Sequence, residues 1–261
     1  MYSFFAENSI FANIGLQKDD IVFYDATDST NTRAREAFIS SPEQCPRLFV
    51  AEEQTAGRGT RGRSFDSRKG GLYFSFLFSP EKEGYDASLI TPLAAAAVFD
   101  ALYSLLGKAH GKGLFIKWVN DLYIKNKKIS GILSEKITKD EKVGYVIGIG
   151  INLAGSDFSP EVKAIAASVE EMTKITVDKE KLLYEILKRL IPALISPKKT
   201  RLYRIYRRHS LKRGAKVTVT DSEKNTREAV VTGLDSELHL CVRYSDGEKA
   251  TLISGDVSIR L

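Results

Sequence analysis

The chain has 261 residues, 43% of them apolar, a formal net charge of +6 and two cysteines, Cys45 and Cys241. This length holds one large domain or a main domain with a small one. The spread of basic residues argues against a nucleic-acid tail, and suits anionic substrates or an acidic partner. The cysteine usage and the absence of an apolar run approaching about 18 residues give the reading of a soluble, cytoplasmic protein without a membrane partner.

Residues 21–25 have strand character, and Asp28-Ser29-Thr30-Asn31 opens a helix over 32–39. A side-chain oxygen of Asp28, Ser29 or Thr30 is expected to cap that helix; the alternative is that this helix start binds a polar ligand. A strand over 48–52 leads into Gly57-Arg58-Gly59-Thr60-Arg61-Gly62-Arg63. Glycine lets a backbone approach a ligand, and arginine supplies planar, always-charged donors for carboxylate and phosphate. Taken alone, the loop fits an anion cradle and a basic surface hairpin equally. It has no large apolar anchor, so it is expected to be mobile.

Residues 71–78 read as a strand buried on both faces, and 88–106 as a helix that tolerates Pro92 in its first turn. A strand over 114–118 ends at the Asn120-Asp121 corner. Residues 122–125 and 128–135 then form a hairpin turning at Asn126. The strand over 143–151 carries Gly148-Ile149-Gly150-Ile151-Asn152, whose glycines imply either a close neighbour on the backbone or a bulge. Residues 164–171 are a short helix or irregular. Asp178 caps a long helix that Pro192 is expected to kink or end. Residues 198–208 form a basic helix with Leu202, Ile205 and Tyr206 inward and a solvated basic face. From Gly214, short strands separated by turns at Asp221-Ser222, Gly233, Asp246-Gly247 and Ser254-Gly255 predict a small β-barrel. The domain boundary falls near residues 211–213, giving units 1–212 and 213–261. His209 and His239 lack metal-ligand spacing.

The chain has no Gly-x-Ser-x-Gly elbow, His-Glu-x-x-His, Walker loop or evident triad. Cationic groups without a protein nucleophile suit phosphoryl or nucleotidyl transfer, where positioning and charge stabilisation do the catalysis. Asp121 is placed to orient groups or to meet Mg²⁺ carried in by phosphates. The residues alone lead to a nucleotide-using transferase or ligase.

Gln54-Thr55-Ala56 with the arginine–glycine loop through Ser64-Phe65, Lys117-Trp118-Val119-Asn120-Asp121, residues 128–135 and residues 148–152 together resemble the signature series of the biotin protein ligases. Asp28-Ser29-Thr30-Asn31 is similar to that family's first biotin-contacting segment, and the likeness covers about residues 21–261. It implies an α+β fold: a mixed β-sheet catalytic domain with packed helices, followed by the small C-terminal β-barrel. It implies ATP with Mg²⁺, biotin as substrate, a biotinoyl-5'-AMP intermediate, and a lysine on a biotin carboxyl carrier domain of a carboxylase as acceptor.

The resemblance assigns catalysis to Lys128, Arg63 and Asp121. It places Ser29, Thr30, Asn31, Gln54, Gly57, Arg58, Gly59, Thr60, Lys128, Gly131, Gly148 and Gly150 around biotin, with the glycines letting its flat ring lie on backbone. Arg58, Arg63, Lys117, Asn120, Asp121 and Asn152 fall to the nucleotide, and no protein-fixed metal is implied. The chain starts at the catalytic domain, so an enzyme without the DNA-binding repressor function is expected, with no nucleic-acid partner. A homodimer and a monomer both fit. Three positions depart from the family pattern: Thr60 in place of arginine, Phe65 in place of tryptophan and Val119 in place of proline. Thr60 implies looser closure over the adenylate unless Arg61 substitutes, and Val119 a slightly looser corner. The alternative within the fold is a lipoate or octanoate ligase or transferase; outside it, a nucleic-acid-binding or regulatory protein, or a biotin-binding protein without transfer.

Overall fold

The computed structural model describes residues 9–81, 85–155, 158–197, 200–220, 224–253 and 256–259. The turns expected at Asp221-Ser222 and Ser254-Gly255, and Lys198 of the basic helix, lie outside these residues. A seven-stranded sheet organises the first part of the chain. Its strands are β1 (Ile21–Thr27), β2 (Arg47–Gln54), β3 (Leu72–Phe78), β4 (Leu114–Lys117), β5 (Asp121–Ile124), β6 (Lys127–Lys139) and β7 (Lys142–Ile151). The order is β1-β2-β3-β7-β6-β5-β4. β1 and β2 are parallel, joined through helix α1 (Thr30–Ser40), and every other neighbouring pair is antiparallel.

Alternation along the strands builds a core on each face of the sheet. On β3, Phe74 and Phe76 enter the larger core with helix α2 (Ile90–His110), while Ser75 and Leu77 face α1. Both faces of β3 are therefore covered, as its continuous apolar run predicts. α1 seats on β7 over two glycines. A Cβ on Gly144 would stand 2.6 Å from the Phe38 ring, and one on Gly148 would stand 2.7 Å from Asn31 Cγ. Residues 31 and 38 lie about 10 Å apart along a helix, and residues 144 and 148 about 13 Å apart along a strand. One helix face thus spans both notches.

α2 has the length and apolar composition of a membrane span, but most of it is buried inside the protein, where Ala94–Ala97 allow close approach to its neighbours. Helices α3 (Pro160–Ile165) and α4 (Val169–Thr173) follow β7. Then come α5 (Lys179–Ile195), capped by Asp178 through the Lys181 amide, and α6 (Arg201–His209). α5 runs through Pro192 to Ile195. Proline removes one backbone bond there, but the last turn buries Ala193 and Leu194, which holds it helical. Asp100 of α2 accepts from Arg189 Nε of α5 at 2.9 Å and from Arg201 NH2 of α6 at 2.8 Å, tying the three helices together. α6 buries Leu202 and Tyr206, leaves Ile205 half-buried, and exposes Arg204, Arg207 and Arg208.

The C-terminal strands are β8 (Lys216–Thr220), β9 (Thr226–Leu234), β10 (Leu240–Tyr244), β11 (Lys249–Leu252) and β12 (Asp256–Ile259). They form a five-stranded antiparallel sheet in the order β11-β10-β9-β8-β12. β11 and β12 stand at its two edges, so an antiparallel sheet, not a closed barrel, is what the described residues display. Its apolar face, with Val217, Val231, Leu240 and Val242, joins the same core as α2. His209 stacks on Phe99 at 4.4 Å and His239 Nδ1 meets Asp235 Oδ2 at 3.0 Å. Among the described residues no acidic, histidine and cysteine cluster could hold a metal.

Cys45 and Cys241 are free thiols. Burial pushes the Cys45 thiol up to about 11, only partly offset by Arg47 and Lys142. Thiolate is the reactive form. At pH 8, Cys45 is expected to alkylate with iodoacetamide about a hundredfold more slowly than an unhindered cysteine. Peptide mapping after a timed pulse checks this, and equal rates would refute the half-buried placement.

Candidate active site

The site is a cleft of about 550 Å³ at the ends of α1 and β2, over β5–β7 and under the arginine–glycine loop. Its polar floor begins where α1 starts. Ser29 occupies the cap position with extended backbone but makes no side-chain cap. Gln54, reaching over from β2, accepts instead from the Thr30 amide at 2.8 Å and the Thr30 hydroxyl at 3.1 Å. The expected side-chain cap is therefore replaced by a bond across the sheet, because β1 and β2 end side by side at Thr27 and Gln54. Asp28 turns outward to the Ser29 amide and to Arg33. Desolvation works against its charge, yet Arg33, the Ser29 amide and the Thr27 hydroxyl hold its carboxyl below the usual range.

Gln54 Nε2 donates to Ser67 Oγ at 2.8 Å. On the other side, Ser75 Oγ lies 2.8 Å from Thr30 Oγ1 and 2.6 Å from Asn31 Oδ1. Asn31 Nδ2 donates to Glu135 Oε2 at 2.8 Å. Ser29, Thr30, Asn31 and Ser75 are all buried. A buried network with its groups partnered holds one geometry, which is what a specific polar pocket needs.

The loop is a folded turn. The Gly59 amide donates to Arg63 O at 2.7 Å and the Phe65 amide to Gly57 O at 2.9 Å, with a short 3₁₀ turn at Thr60–Gly62. Arg61 has a left-handed backbone (φ 58°), as does Gly62 after it. Arg58 supplies part of what holds this turn: it forms a two-pronged ion pair with Glu135 on β6, at 2.9 and 3.2 Å. Phe65 supplies the rest, folding back onto the sheet. A Cβ on Gly150 would lie 2.6 Å from its ring and one on Gly131 3.1 Å. Gly131 and Gly150 are partners in the β6–β7 ladder, so together they make one flat seat. The glycines expected under a ligand ring thus have protein neighbours: Phe65 over two of them, and Asn31 over Gly148.

Lys128 projects across this seat, its ammonium 2.7 Å from Asp121 Oδ1 and 5.8 Å from the centre of the Phe65 ring. Asp121 opens β5 just after the corner. Asn120 Nδ2 donates to Ile132 O at 2.8 Å, and the Ile132 amide returns to Asn120 O at 3.0 Å. Tyr206 OH donates to Val119 O, and Trp118 Nε1 to Leu238 O at 3.0 Å. The Trp118–Val119 peptide is cis. The corner is thus tied on both sides. Lys117 faces the cleft with its ammonium 5.4 Å from the Tyr123 ring centre. Burial, aided by Asp121 and opposed by Arg63, pushes the Tyr123 phenol up to about 12, so it stays a neutral donor.

Ser29, Thr30, Asn31, Gln54, Arg58, Gly59, Thr60, Arg63, Lys117, Asn120, Asp121, Lys128, Gly131, Gly148 and Gly150 all line the cleft. Gly57 and Asn152 do not. Gly57 packs under Phe65 O and Ser67 Oγ and shapes the loop from below. Asn152 is buried behind β6, its amide bonded to Ile129 O and its carbonyl to the Val169 amide. The sequence reading missed Trp118, Tyr123, Ile132, Leu133 and Ile165 as lining residues, and Ser75 and Glu135 as their supports. Alternation along β5 places Tyr123 beside Asp121, a signal that was available; Ile165 gives none.

A network of cations over a polar floor, on a mixed sheet, defines a site for an anionic ligand next to a neutral polar one. Residues 23–152 match the Biotin/lipoate A/B protein ligase family, and this segment of the chain belongs to that family. It is 35% identical over 172 residues to the bifunctional ligase/repressor BirA of Bacillus subtilis, covering 64% of this chain and 51% of that protein. It is 36% identical over 162 residues to the biotin–[acetyl-CoA-carboxylase] ligase of Paracoccus denitrificans, covering 60% of this chain and 65% of that protein. The chain thus spans about half the length of the first of these curated relatives. In structure it resembles the biotin protein ligase of Aquifex aeolicus solved in complex with biotin and ATP, with a TM-score of 0.74 and 28% identity. That match covers 92% of this chain and 98% of the other.

Proposed function

We propose that the chain is an ATP-dependent biotin–protein ligase that forms biotinoyl-5'-AMP and passes the biotinoyl group to a lysine of a biotin carboxyl carrier domain. One observation carries the reading. The arginine loop, the Lys128–Asp121 pair and the Thr30–Gln54 floor converge on one cleft, in a fold like that of the Aquifex aeolicus ligase solved with biotin and ATP. The reading assigns residues 1–212 to catalysis and 213–261 to a small C-terminal module. It places the enzyme in the cytoplasm, with neither nucleic acid nor membrane taking part.

In the first step a biotin carboxylate oxygen bonds to the α-phosphorus of ATP and pyrophosphate leaves. Two anions must meet, and Arg58, Arg63 and Lys128 offset that repulsion. In the second, the neutral ε-amine of the carrier lysine attacks the acyl carbon, the acyl–phosphate C–O bond breaks, AMP leaves, and the amine sheds its proton. Lys128 stabilises charge developing on the same oxygens in both steps. An oriented cation of this kind contributes roughly 2–4 kcal/mol. Mg²⁺ enters with ATP as part of the substrate. Asp121 is paired through Oδ1 with the Lys128 ammonium at 2.7 Å, and its carboxylate lines the cleft that the metal-bearing phosphates would enter. Ser29, Thr30, Asn31 and Gln54 take the ureido end, and Lys117 and Asn120 the nucleotide.

Incubation with ATP, Mg²⁺, a carrier domain and labelled biotin or lipoate tests the assignment. Label on the carrier from biotin alone is the expected result. Label from lipoate moves the chain to the other activity of its family, and label from neither leaves a binding protein.

The short, uncharged Thr60 carries a narrower expectation. Quench-flow with labelled ATP should show more released biotinoyl-AMP, by about threefold, than a Thr60→Arg variant whose added guanidinium helps to hold the adenylate. Equal release would mean that Thr60 has no bearing on retention.

A further inference from the structure

Glu135 lies on β6 outside the cleft lining, yet it holds two residues that line it. Oε1 accepts from Arg58 NH2 at 2.9 Å, and Oε2 accepts from Arg58 NH1 at 3.2 Å and from Asn31 Nδ2 at 2.8 Å. Arg58 belongs to the loop above the cleft. Asn31 belongs to its floor, covers Gly148, and lies within hydrogen-bond distance of Ser75. The Glu135 side chain is 17% exposed and that of Arg58 46%, so the carboxylate is a fixed post and the guanidinium the part that reaches out.

We propose that Glu135 is a positioning residue that holds the loop arginine and the floor asparagine in one frame, so that loop order and biotin binding are linked through its carboxylate. The link to biotin rests on the ligase reading above. A two-pronged pair fixes the plane of a guanidinium as well as its position. Two of the five Arg58 N–H donors are spent on Glu135, and three remain for a bound carboxylate or phosphate. The bond to Asn31 sets which end of that amide faces Ser75. Glutamine at 135 would keep the shape, lose the charge, and turn an NH₂ toward one of the two donors. Arg58 would then lose one of its two acceptors, and Asn31 would lose its own as well if the NH₂ took the Oε2 position.

The loop carries its own reporter, because Arg58, Arg61 and Arg63 are exposed trypsin sites. In Glu135→Gln, trypsin nicking of the full chain between residues 58 and 63 is expected to speed up about fivefold to tenfold, with the melting temperature little changed. The biotin KM should rise by a similar factor while kcat stays within about threefold. Glu135→Asp, which keeps the charge on a stem one methylene shorter, should fall between the two proteins in both readings. If Glu135→Gln does not fold, Glu135→Asp against the unmodified chain gives the same two comparisons. Unchanged nicking with unchanged KM overturns the proposal, and so does a change in one without the other. A chain that transfers no biotin fails the ligase reading instead, and the nicking rates alone then decide whether the frame exists.

Discussion

Lys128→Ala is expected to lower kcat/KM for biotin transfer to a carrier domain by about 10²–10³-fold, the effect of removing one oriented charge from a developing anion. Its ammonium lies 3.2 Å from where a Cβ of Gly131 would stand, so it reaches directly over the seat shared by Gly131 and Gly150. Asp121 holds it there at 2.7 Å, and both side chains are largely withdrawn from water, at 28% and 19% exposure. Removing the lysine does two things at once: the reacting oxygens lose their cation, and Asp121 keeps a charge with no partner. Both raise the barrier. Asp121→Asn keeps the cation and loosens its aim, so its loss should be smaller, about tenfold. Initial rates with labelled biotin at saturating ATP compare the two variants. A loss below threefold in Lys128→Ala would remove this residue from the chemistry.

Gly148→Ala is the second large expectation, and it acts on the floor. The new methyl would collide with the Asn31 amide. Asn31 cannot simply turn away, because it is engaged with Glu135 on one side and near Ser75 on the other. Relief requires α1 to lift from β7, and that pulls the Thr30 amide from Gln54. Overpacking of this kind costs about 1–3 kcal/mol, or a fall in Tm of about 2–4 °C per kcal/mol in a chain of this size. The biotin KM should rise at least about tenfold, since the polar floor is what moves. Gly144→Ala is the control: it strains the far end of the same helix at Phe38 without touching Asn31 or the Thr30–Gln54 contact. If the two variants lose stability equally and neither changes the biotin KM, the floor does not bind biotin.

Much of this arrangement was readable from the residues. Alternation and turn chemistry placed most strands of the main sheet, and the Asp178 cap fixed the start of α5. The loop, the corner and the Gly-x-Gly strand were recognisable as parts of one site, because each contains residue types that a fold rarely needs for packing alone. What escaped was the reason for the glycines. Nothing local in Gly148-Ile149-Gly150 says that Asn31 and Phe65, from a helix and a loop far off in sequence, will occupy the spaces left by missing side chains. The Thr30–Gln54 bond was hidden for the same reason, since it depends on β1 and β2 being parallel neighbours. The barrel expectation came from strand spacing, which sets strand number but not whether edge strands meet. Pro192 was read by its missing donor, without the burial that outweighs it.

Trp118 is the only tryptophan in the chain. It forms one wall of the cleft while its indole N–H donates to Leu238 O beside the C-terminal sheet. All indole emission of the protein therefore comes from a single chromophore that is 3% exposed and placed between the two sheets. Its emission can separate two events without any label. Quenching at constant wavelength would report a ligand arriving against the ring. A red shift would report the C-terminal sheet parting from the corner and water reaching the indole.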